Sequence, residues 1–112
     1  MSFTEALARK DDAVFRRFGE DAAYRPVSGA EVSPVRIIPK RPDEIDRFGD
    51  SQIITSTCRV RVRRSEVPAP RVRDIFVIVE DGQEVLFILT ADPMLNARRT
   101  VWTAEAELVQ AP

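Results

Sequence analysis

The sequence predicts a mainly β domain, a small antiparallel β-barrel or sandwich of five to six strands with an N-terminal α-helix. Residues 58–63 alternate strictly between an apolar residue and arginine, the period-two pattern of a strand with one buried face. Residues 75–79 and 85–89 are apolar on both faces and are joined by Asp81-Gly82. A sheet that is apolar on both sides in so short a chain has to close on itself, be covered by a helix, or contact another subunit.

Length and composition indicate a single domain, which we assign to residues 1–112. The apolar fraction of 44% and the charged fraction of 31% are ordinary for a soluble globular protein. A single cysteine cannot form an intramolecular disulfide, which favours a reducing compartment. We expect no signal peptide and no membrane-spanning segment, because the sequence lacks their apolar blocks. With 17 basic and 18 acidic side chains, no overall charge attracts the chain to nucleic acid or membrane.

Residues 2–19 are predicted to form the helix. Ser2 and Glu5 have the spacing of a capping box, and apolar residues recur at helical intervals behind them. Gly19 is placed to end the helix in a left-handed conformation. We expect the helix to lie over one end or side of the barrel, which is assigned to residues 22–110.

Two short strands and a long loop are predicted next. The strands, at residues 22–27 and 35–38, flank a turn at residues 28–31. Pro34 and Pro39 bracket the second strand, which favours an edge position or abrupt ends. Residues 40–52 are polar and rich in turn formers, so we expect a long loop that is mobile in the free protein.

The second half of the chain supplies the remaining strands. The arginine strand is predicted at about residues 53–64, the apolar hairpin follows a proline-containing connection, and a last strand is predicted at about residues 99–109. Asp81-Gly82 predicts a type I′ turn, because that turn needs positive φ at both central residues. The lone Cys58 and the strand residue Trp102 are both expected in the core.

No catalytic or metal-binding motif is present in the sequence. The absence of histidine removes the commonest general base and the commonest metal ligand. No glycine-rich phosphate loop occurs, and the carboxylates within residues 43–50 lack the spacing of an EF-hand loop. We therefore expect that the protein is not an enzyme and has no cofactor.

The candidate interaction residues are mainly basic. The strand arginines share one face, which can be a solvated surface or can contact a polyanion or an acidic protein patch. The strand carries no aromatic residue for base stacking, so sequence-specific nucleic-acid binding is poorly supported. Ile45 and Phe48 of the predicted loop can pack back onto the domain or become ordered on a partner. Arg98-Arg99 can be a hairpin loop or an exposed basic corner. The full set of candidates is Ile45, Arg47, Phe48, Arg59, Arg61, Arg63, Arg64, Arg98 and Arg99.

The order of these features resembles the head–tail attachment (joining) proteins of lambda-like tailed phages. The resemblance is carried by the N-terminal helix, residues 35–38, Arg47-Phe48-Gly49, residues 60–63, Ser65-Glu66-Val67, Asp74-Ile75, the Asp81-Gly82 hairpin and Arg98-Arg99. One departure concerns the residue before Asp74, which is usually glycine in the family and is Arg73 here. We therefore do not expect the glycine-dependent turn at the start of that strand.

The resemblance implies a structural protein of a phage or prophage virion, located at the neck and in the host cytoplasm before assembly. Such a protein forms a ring that docks on the portal end of the DNA-filled head and accepts the tail. Its partners would be other portal, neck and tail proteins and copies of itself, with DNA only as channel content and no membrane. Two alternatives stay open: a small nucleic-acid-binding β-barrel that uses Arg59, Arg61, Arg63 and Arg64, and another neck ring protein such as a tail terminator.

Overall fold

The computed structural model describes residues 3–41 and 57–110. Its elements are α1 (Phe3–Phe18), β1 (Glu20–Arg25), β2 (Val32–Lys40), β3 (Thr57–Arg63), β4 (Ile75–Glu80), β5 (Gln83–Leu89), β6 (Met94–Leu95) and β7 (Val101–Gln110). The predicted class, mainly β with an N-terminal helix, is confirmed. Strand β6 was not predicted, because two residues are too few to show an alternating pattern.

Six of the strands close into an antiparallel barrel in the order β3-β2-β1-β4-β5-β7, with β7 returning to β3. Closure depends on β7, which is long enough to pair with both neighbours. Its first part lies opposite β3, where Val101 faces Arg63, and its last part lies opposite β5, where Gln110 faces Val85. The short β6 pairs with the first part of β7 on the other side.

One face of every barrel strand fills the interior, as the alternating patterns require. Phe76 and Phe87 lie opposite each other on β4 and β5 and are fully buried. Cys58 is only 1% exposed, which confirms its predicted place in the core. Trp102 packs against the same core cluster, as predicted. The barrel thus contains a packed core.

Residues 64–74 close one mouth of the barrel. They connect β3 to β4, which are three places apart in the six-strand ring and therefore lie on opposite sides. Val67, in the middle of this connection, is 1% exposed and belongs to the core cluster. We call this mouth, with residues 26–31, 64–74 and 90–100, the connector end. At the opposite mouth, Arg41 forms a 2.6 Å ion pair with Glu80, and its guanidinium lies 5.9 Å from the centre of the Phe87 ring.

The prediction from the two prolines was wrong. Both Pro34 and Pro39 lie inside β2, and β2 is an interior strand between β1 and β3. The register with β1 shifts between Ala22 and Tyr24, opposite Pro34, so the ladder is irregular where proline has no N–H to donate. Pro34 is therefore tolerated without placing the strand at an edge, while Pro39 lies near the end of β2, opposite Val60.

The predicted left-handed helix end at Gly19 was also wrong. Within the described part of the chain, glycine has positive φ only at positions 29 and 82. Gly19 is instead needed for space, because a Cβ there would lie 2.4 Å from the carbonyl oxygen of Phe15 and 2.8 Å from Cγ of Arg36. Its N–H donates to that same oxygen at 2.8 Å, and β1 begins at the next residue.

The hairpin turn between β4 and β5 has the predicted conformation. Asp81 and Gly82 both have positive φ, 52° and 79°, and Glu80 pairs with Gln83. This is the two-residue turn whose twist matches that of the flanking strands. The apolar hairpin is therefore continuous up to its tip.

Candidate interaction surfaces

The outer surface of β3 carries two of the three strand arginines. Arg59 and Arg61 are exposed, and within the described part of the chain neither forms an ion pair. Arg59 lies opposite Lys40 on β2 and opposite Glu105 on β7. We call Lys40, Arg59 and Arg61 the arginine face.

Arg63, the third arginine of the pattern, is held inside the domain. Its Nη2 and Nε donate to Oε2 of Glu66 at 2.7 and 3.1 Å, and its Nη1 donates to Oδ1 of Asp12 at 2.7 Å. The guanidinium lies 5.2 Å from the centre of the Phe15 ring, and the side chain is 19% exposed. Burial lowers the pKa of Arg63 and the two carboxylates raise it, with a net rise. Arg63 therefore attaches the helix to the barrel.

Arg36 on β2 is a second attachment point for α1. Its Nε donates to the carbonyl oxygen of Phe15 at 3.1 Å, and its Nη2 donates to that of Arg16 at 3.0 Å. A cation beside the last carbonyls of a helix is favourable because those groups have no partner within the helix. The Phe15 side chain is 1% exposed, so the C-terminal half of α1 is anchored by one aromatic ring and two arginines. Sequence reasoning missed this cluster, although the spacing of Arg63 and Glu66 was a usable signal.

Arg64, Arg98 and Arg99 lie together at the connector end. Arg64 donates to the carbonyl oxygen of Arg99 at 3.4 Å. Asn96 organises the turn that presents the other two, because its Oδ1 accepts the N–H groups of Thr100 and Val101 at 2.8 and 3.2 Å. Arg98 and Arg99 lie in the hairpin loop between β6 and β7, and all three arginines are exposed, so both interpretations of Arg98-Arg99 describe the structure. An open pocket of about 340 Å³ separates this corner from α1.

A buried carboxylate, Asp74, fixes the other side of the connector end. It is 3% exposed and accepts hydrogen bonds from the Tyr24 hydroxyl, from the N–H of Val27 at 3.0 Å and from the N–H of Arg71 at 2.9 Å. Burial first, and then the hydrogen bond to Asp74, raises the pKa of Tyr24 above its ordinary value. The residues around Asp74 are therefore held by a closed set of hydrogen bonds.

Beside this carboxylate, the expected loss of the left-handed turn at Arg73 was wrong. Arg73 has φ of 77°, and its N–H donates to the carbonyl oxygen of Leu89 at 2.8 Å. The hydrogen bonds of Asp74 and Leu89 on either side hold the turn, so arginine adopts the conformation that glycine adopts more readily.

The outer surface of the β4–β5 hairpin is apolar. Alternate residues Phe76 and Ile78 point into the core, so their neighbours point outward. We call this surface the apolar outer face, and its members are Ile75, Val79, Leu86, Ile88 and the adjoining Val109 of β7. Val77 lies on the same side of β4 but is only 5% exposed. Val79 is 69% exposed and Val109 38%. Helix α1 is held by β2 and β3, and β3 lies across the barrel from β4.

The remaining candidates lie outside the described residues. Ile45, Arg47 and Phe48 belong to residues 42–56, as does most of the predicted loop. Across residues 3–41 and 57–110, no group of three or more metal-ligating side chains occurs. No helix in that part of the chain has the length and apolar character needed to span a membrane.

One of two comparisons relates the chain to a known protein family. A family model described as Phage Head-Tail Attachment protein matches residues 3–106. The match covers α1, every strand up to β6 and the first part of β7. A search of curated proteins finds no match.

Proposed function

The chain belongs to the phage head–tail attachment protein family, and we propose that it is a ring subunit that docks on the portal end of the DNA-filled head and accepts the tail. Membership supports a structural role in the virion neck, where the protein acts with other phage head and tail proteins. The observation that carries the proposal is the family match over residues 3–106. Host cytoplasm before assembly and self-association belong to the same proposal.

Two surfaces on opposite sides of the barrel support ring formation. A ring of identical subunits needs two different patches on each subunit, because each contact is head-to-tail. The arginine face on β3 and the apolar outer face on β4 and β5 meet this requirement, since β3 and β4 are diametrically placed in the closed sheet. Arginine stems can cover apolar residues while their guanidinium groups pair with nearby carboxylates such as Glu84, which is half exposed and lies 3.4 Å from Arg25 of its own subunit.

The surroundings of the arginine face favour subunit contact over contact with DNA in the channel. Arg59 lies directly opposite Glu105 and diagonal to Glu107, so negative charge adjoins the site that a phosphate would occupy. Arg63, which the nucleic-acid alternative requires, is bound to Asp12 and Glu66. Tight binding of DNA by this face would also hinder the passage of the DNA through the channel at ejection.

Purified particles test the function directly. We expect mass spectrometry of phage-like particles from induced source cells to find this polypeptide at ring-like stoichiometry. Abundance in the cytosol with absence from the particles would contradict a structural role in the neck.

Engineered disulfides test the ring contact. A variant carrying Arg61→Cys and Val79→Cys should form covalent ladders of subunits on assembled particles under mild oxidation, because each cysteine then meets its partner on the next subunit. Each single substitution should give no ladder, and the native Cys58 is buried and cannot contribute. A variant carrying Arg9→Cys and Val79→Cys is the matched control. An equal ladder in the control would contradict the proposed pairing of faces.

A further inference from the structure

Five exposed arginines lie at the connector end, three beside the pocket next to α1 and two beside Asp74, and we call this end of the barrel the basic end. They are Arg64, Arg71, Arg73, Arg98 and Arg99, from the connection between β3 and β4 and from the turn before β7. Within residues 3–41 and 57–110 none of them forms an ion pair. Val67 belongs to the core cluster and plugs the barrel mouth beneath these arginines.

Most carboxylates at this end are already bound to other groups. Glu31 pairs with Arg25 at 2.8 Å, Glu66 pairs with Arg63 at 2.7 Å, and Asp74 is buried beneath its hydrogen-bond donors. Asp92 is exposed at the same end. The helix residue Asp11 borders the pocket beside Arg64 and Arg99 and forms an ion pair with neither. The five guanidinium groups therefore remain largely uncompensated.

The backbone at two of these arginines is strained. Arg73 and Arg99 have φ of 77° and 62°, a region that side chains with a Cβ disfavour and glycine occupies freely. The other described non-glycine residue with positive φ, Asp81, lies in a hairpin turn where aspartate is ordinary. Strain of this kind clusters at functional sites. Glycine would adopt both conformations more readily, so the backbone itself does not require arginine at either position.

The basic end also carries exposed apolar side chains. Val27 is 69% exposed and Val72, between Arg71 and Arg73, is 39% exposed. Arginine mixed with apolar groups is typical of protein–protein interfaces, whereas phosphate-backbone binding relies on charge alone and on a positive field. The net charge of −1 does not supply such a field.

We infer that the basic end is a docking surface for an acidic surface on another protein, anchored by Arg71, Arg73, Arg98 and Arg99. It is distinct from the arginine face, which lies on the side of the barrel. The inference rests on the proposed function in one respect: that function implies that the acidic surface belongs to an assembled head or an assembled tail. It assigns one end of the barrel axis to that partner, so the particle that binds there determines the orientation of the subunit in the neck.

The strained positions allow a test in which docking and stability change in opposite directions. Arg73→Gly with Arg99→Gly removes two charges and relieves both backbone conformations. We expect the thermal midpoint of unfolding to rise by roughly 4 °C or more, while docking weakens by about tenfold or more. The matched control, Arg73→Lys with Arg99→Lys, keeps both the charge and the strain and should dock close to wild type.

Docking is measured with particles from induced cells in which the gene has been deleted, so that heads and tails remain separate. Purified heads and purified tails are each mixed with wild-type or variant protein, and bound protein is quantified after sedimentation. Wild-type protein that binds neither particle would contradict the proposed function. A glycine variant that binds both particles as well as wild type would overturn the docking surface and leave the proposed function intact.

A second measurement needs no particles. Poly-L-glutamate is titrated into isotope-labelled protein, and amide shifts are followed by NMR. We expect the amides of Arg71, Arg73, Arg98 and Arg99 to respond at a concentration about tenfold below that which moves Arg59 and Arg61. If the amides of Arg59 and Arg61 shifted at a lower poly-L-glutamate concentration than those of the basic end, the inference would be overturned. A short double-stranded DNA that shifts the same four amides at lower concentration than poly-L-glutamate, at equal salt, would assign this end to nucleic acid instead.

Discussion

At the scale of single residues, the hydrogen bond from Tyr24 to Asp74 is the most consequential polar contact in the barrel. Asp74 has an acidic side chain that is 3% exposed, and a buried carboxylate is tolerated only when its oxygens are bonded. Its three donors come from β1, from the turn after β1 and from the connection before β4. Removing any one of them leaves part of a buried charge unsatisfied.

Tyr24→Phe should lower the free energy of unfolding by about 1–3 kcal/mol, because it removes one donor and leaves the carboxylate buried. Urea denaturation followed by Trp102 fluorescence measures the change. The double variant with Asp74→Asn completes a mutant cycle, and strong coupling between the two positions is the expected result. Purely additive effects would show that the hydroxyl and the carboxylate act independently.

The raised pKa of Tyr24 gives a second prediction, for alkaline pH. The folded state retains the phenolic proton above the ordinary tyrosine pKa, so unfolding releases a proton once the pH exceeds about 10. The free energy of unfolding should therefore fall as pH rises above that value. Because the chain has one tyrosine, ultraviolet absorbance of tyrosinate reports on this group alone. Tyrosinate that appears at pH 10 in folded protein would contradict the prediction.

At the scale of elements, helix α1 depends on contacts that a linear pattern does not show. Residues 58–63 look like a uniform arginine stripe, yet Arg63 is bound to Asp12 and Glu66 while Arg59 and Arg61 are exposed. The difference arises because Asp12 is brought to Arg63 by the packing of α1, across a long separation in sequence. Two arginines in the same pattern therefore have unrelated roles.

Arg63→Met should loosen α1 and leave the barrel folded. Methionine keeps much of the stem volume but forms no ion pairs, so we expect a loss of about 1–3 kcal/mol and faster amide exchange through residues 10–18. Hydrogen exchange followed by mass spectrometry measures the second effect. Arg61→Met, two residues away on the same strand, is the control and should change neither quantity. Equal effects of both substitutions would mean that the ion pairs do not hold the helix.

At the junction of α1 and β1, Gly19 has no room for a side chain. Gly19→Ala places a Cβ within 2.4 Å of the Phe15 carbonyl oxygen, and backbone must move to accommodate it. We expect a destabilisation of about 1–3 kcal/mol, as for other overpacked sites. Gly82→Asn is the control, because its surroundings are open and asparagine tolerates positive φ. A smaller loss at position 19 than at position 82 would be inconsistent with the close approach.

Local chemistry made some elements predictable and long-range contacts decided the others. Asp81-Gly82 specified its turn because the needed backbone conformation is a property of those two residues. Pro34 misled because it lies in an irregularity of β2 itself, where Ser33 and Pro34 together stand opposite Ala23 and no regular ladder N–H is required. Gly19 misled because its role is to leave space for the Phe15 carbonyl oxygen and for Arg36, and Arg36 approaches it only in the folded barrel. The sequence indicated Asp74 only as the start of a strand. It did not predict the buried hydrogen bonds, since the three donors are distant in sequence or are backbone N–H groups.

At the scale of the whole molecule, barrel closure determines which apolar face of the β4–β5 hairpin is buried and which is exposed. One face became the core, with Phe76, Ile78 and Phe87 among its largest members, and the other stayed on the outside. This outer surface is the one that the proposed ring contact would cover. Its position across from the arginine face follows from the strand order alone.

We expect the free protein to be a folded monomer that self-associates weakly, because full assembly requires the neck partners. Sedimentation velocity should show a weight-average mass that rises with concentration, and Val79→Asp should remove the rise without unfolding the domain. Val72→Asp, an exposed valine at the connector end, is the control and should retain the association. A stable ring in solution at low concentration would contradict the role assigned to the partners.

Strand β7 has a kinetic consequence as well as a structural one. Strands β3 and β5 are the two edges of the sheet until residues 101–110 pair with both of them. The pairing of Thr57 with Glu107 therefore forms only after β7 has been made. Until then both edges present unpaired backbone groups, the arrangement through which chains aggregate. Pairings so distant in sequence also slow folding. The interval before closure is thus the period in which a newly made chain is most exposed to misassembly, and the time at which a chaperone would have the greatest effect on yield.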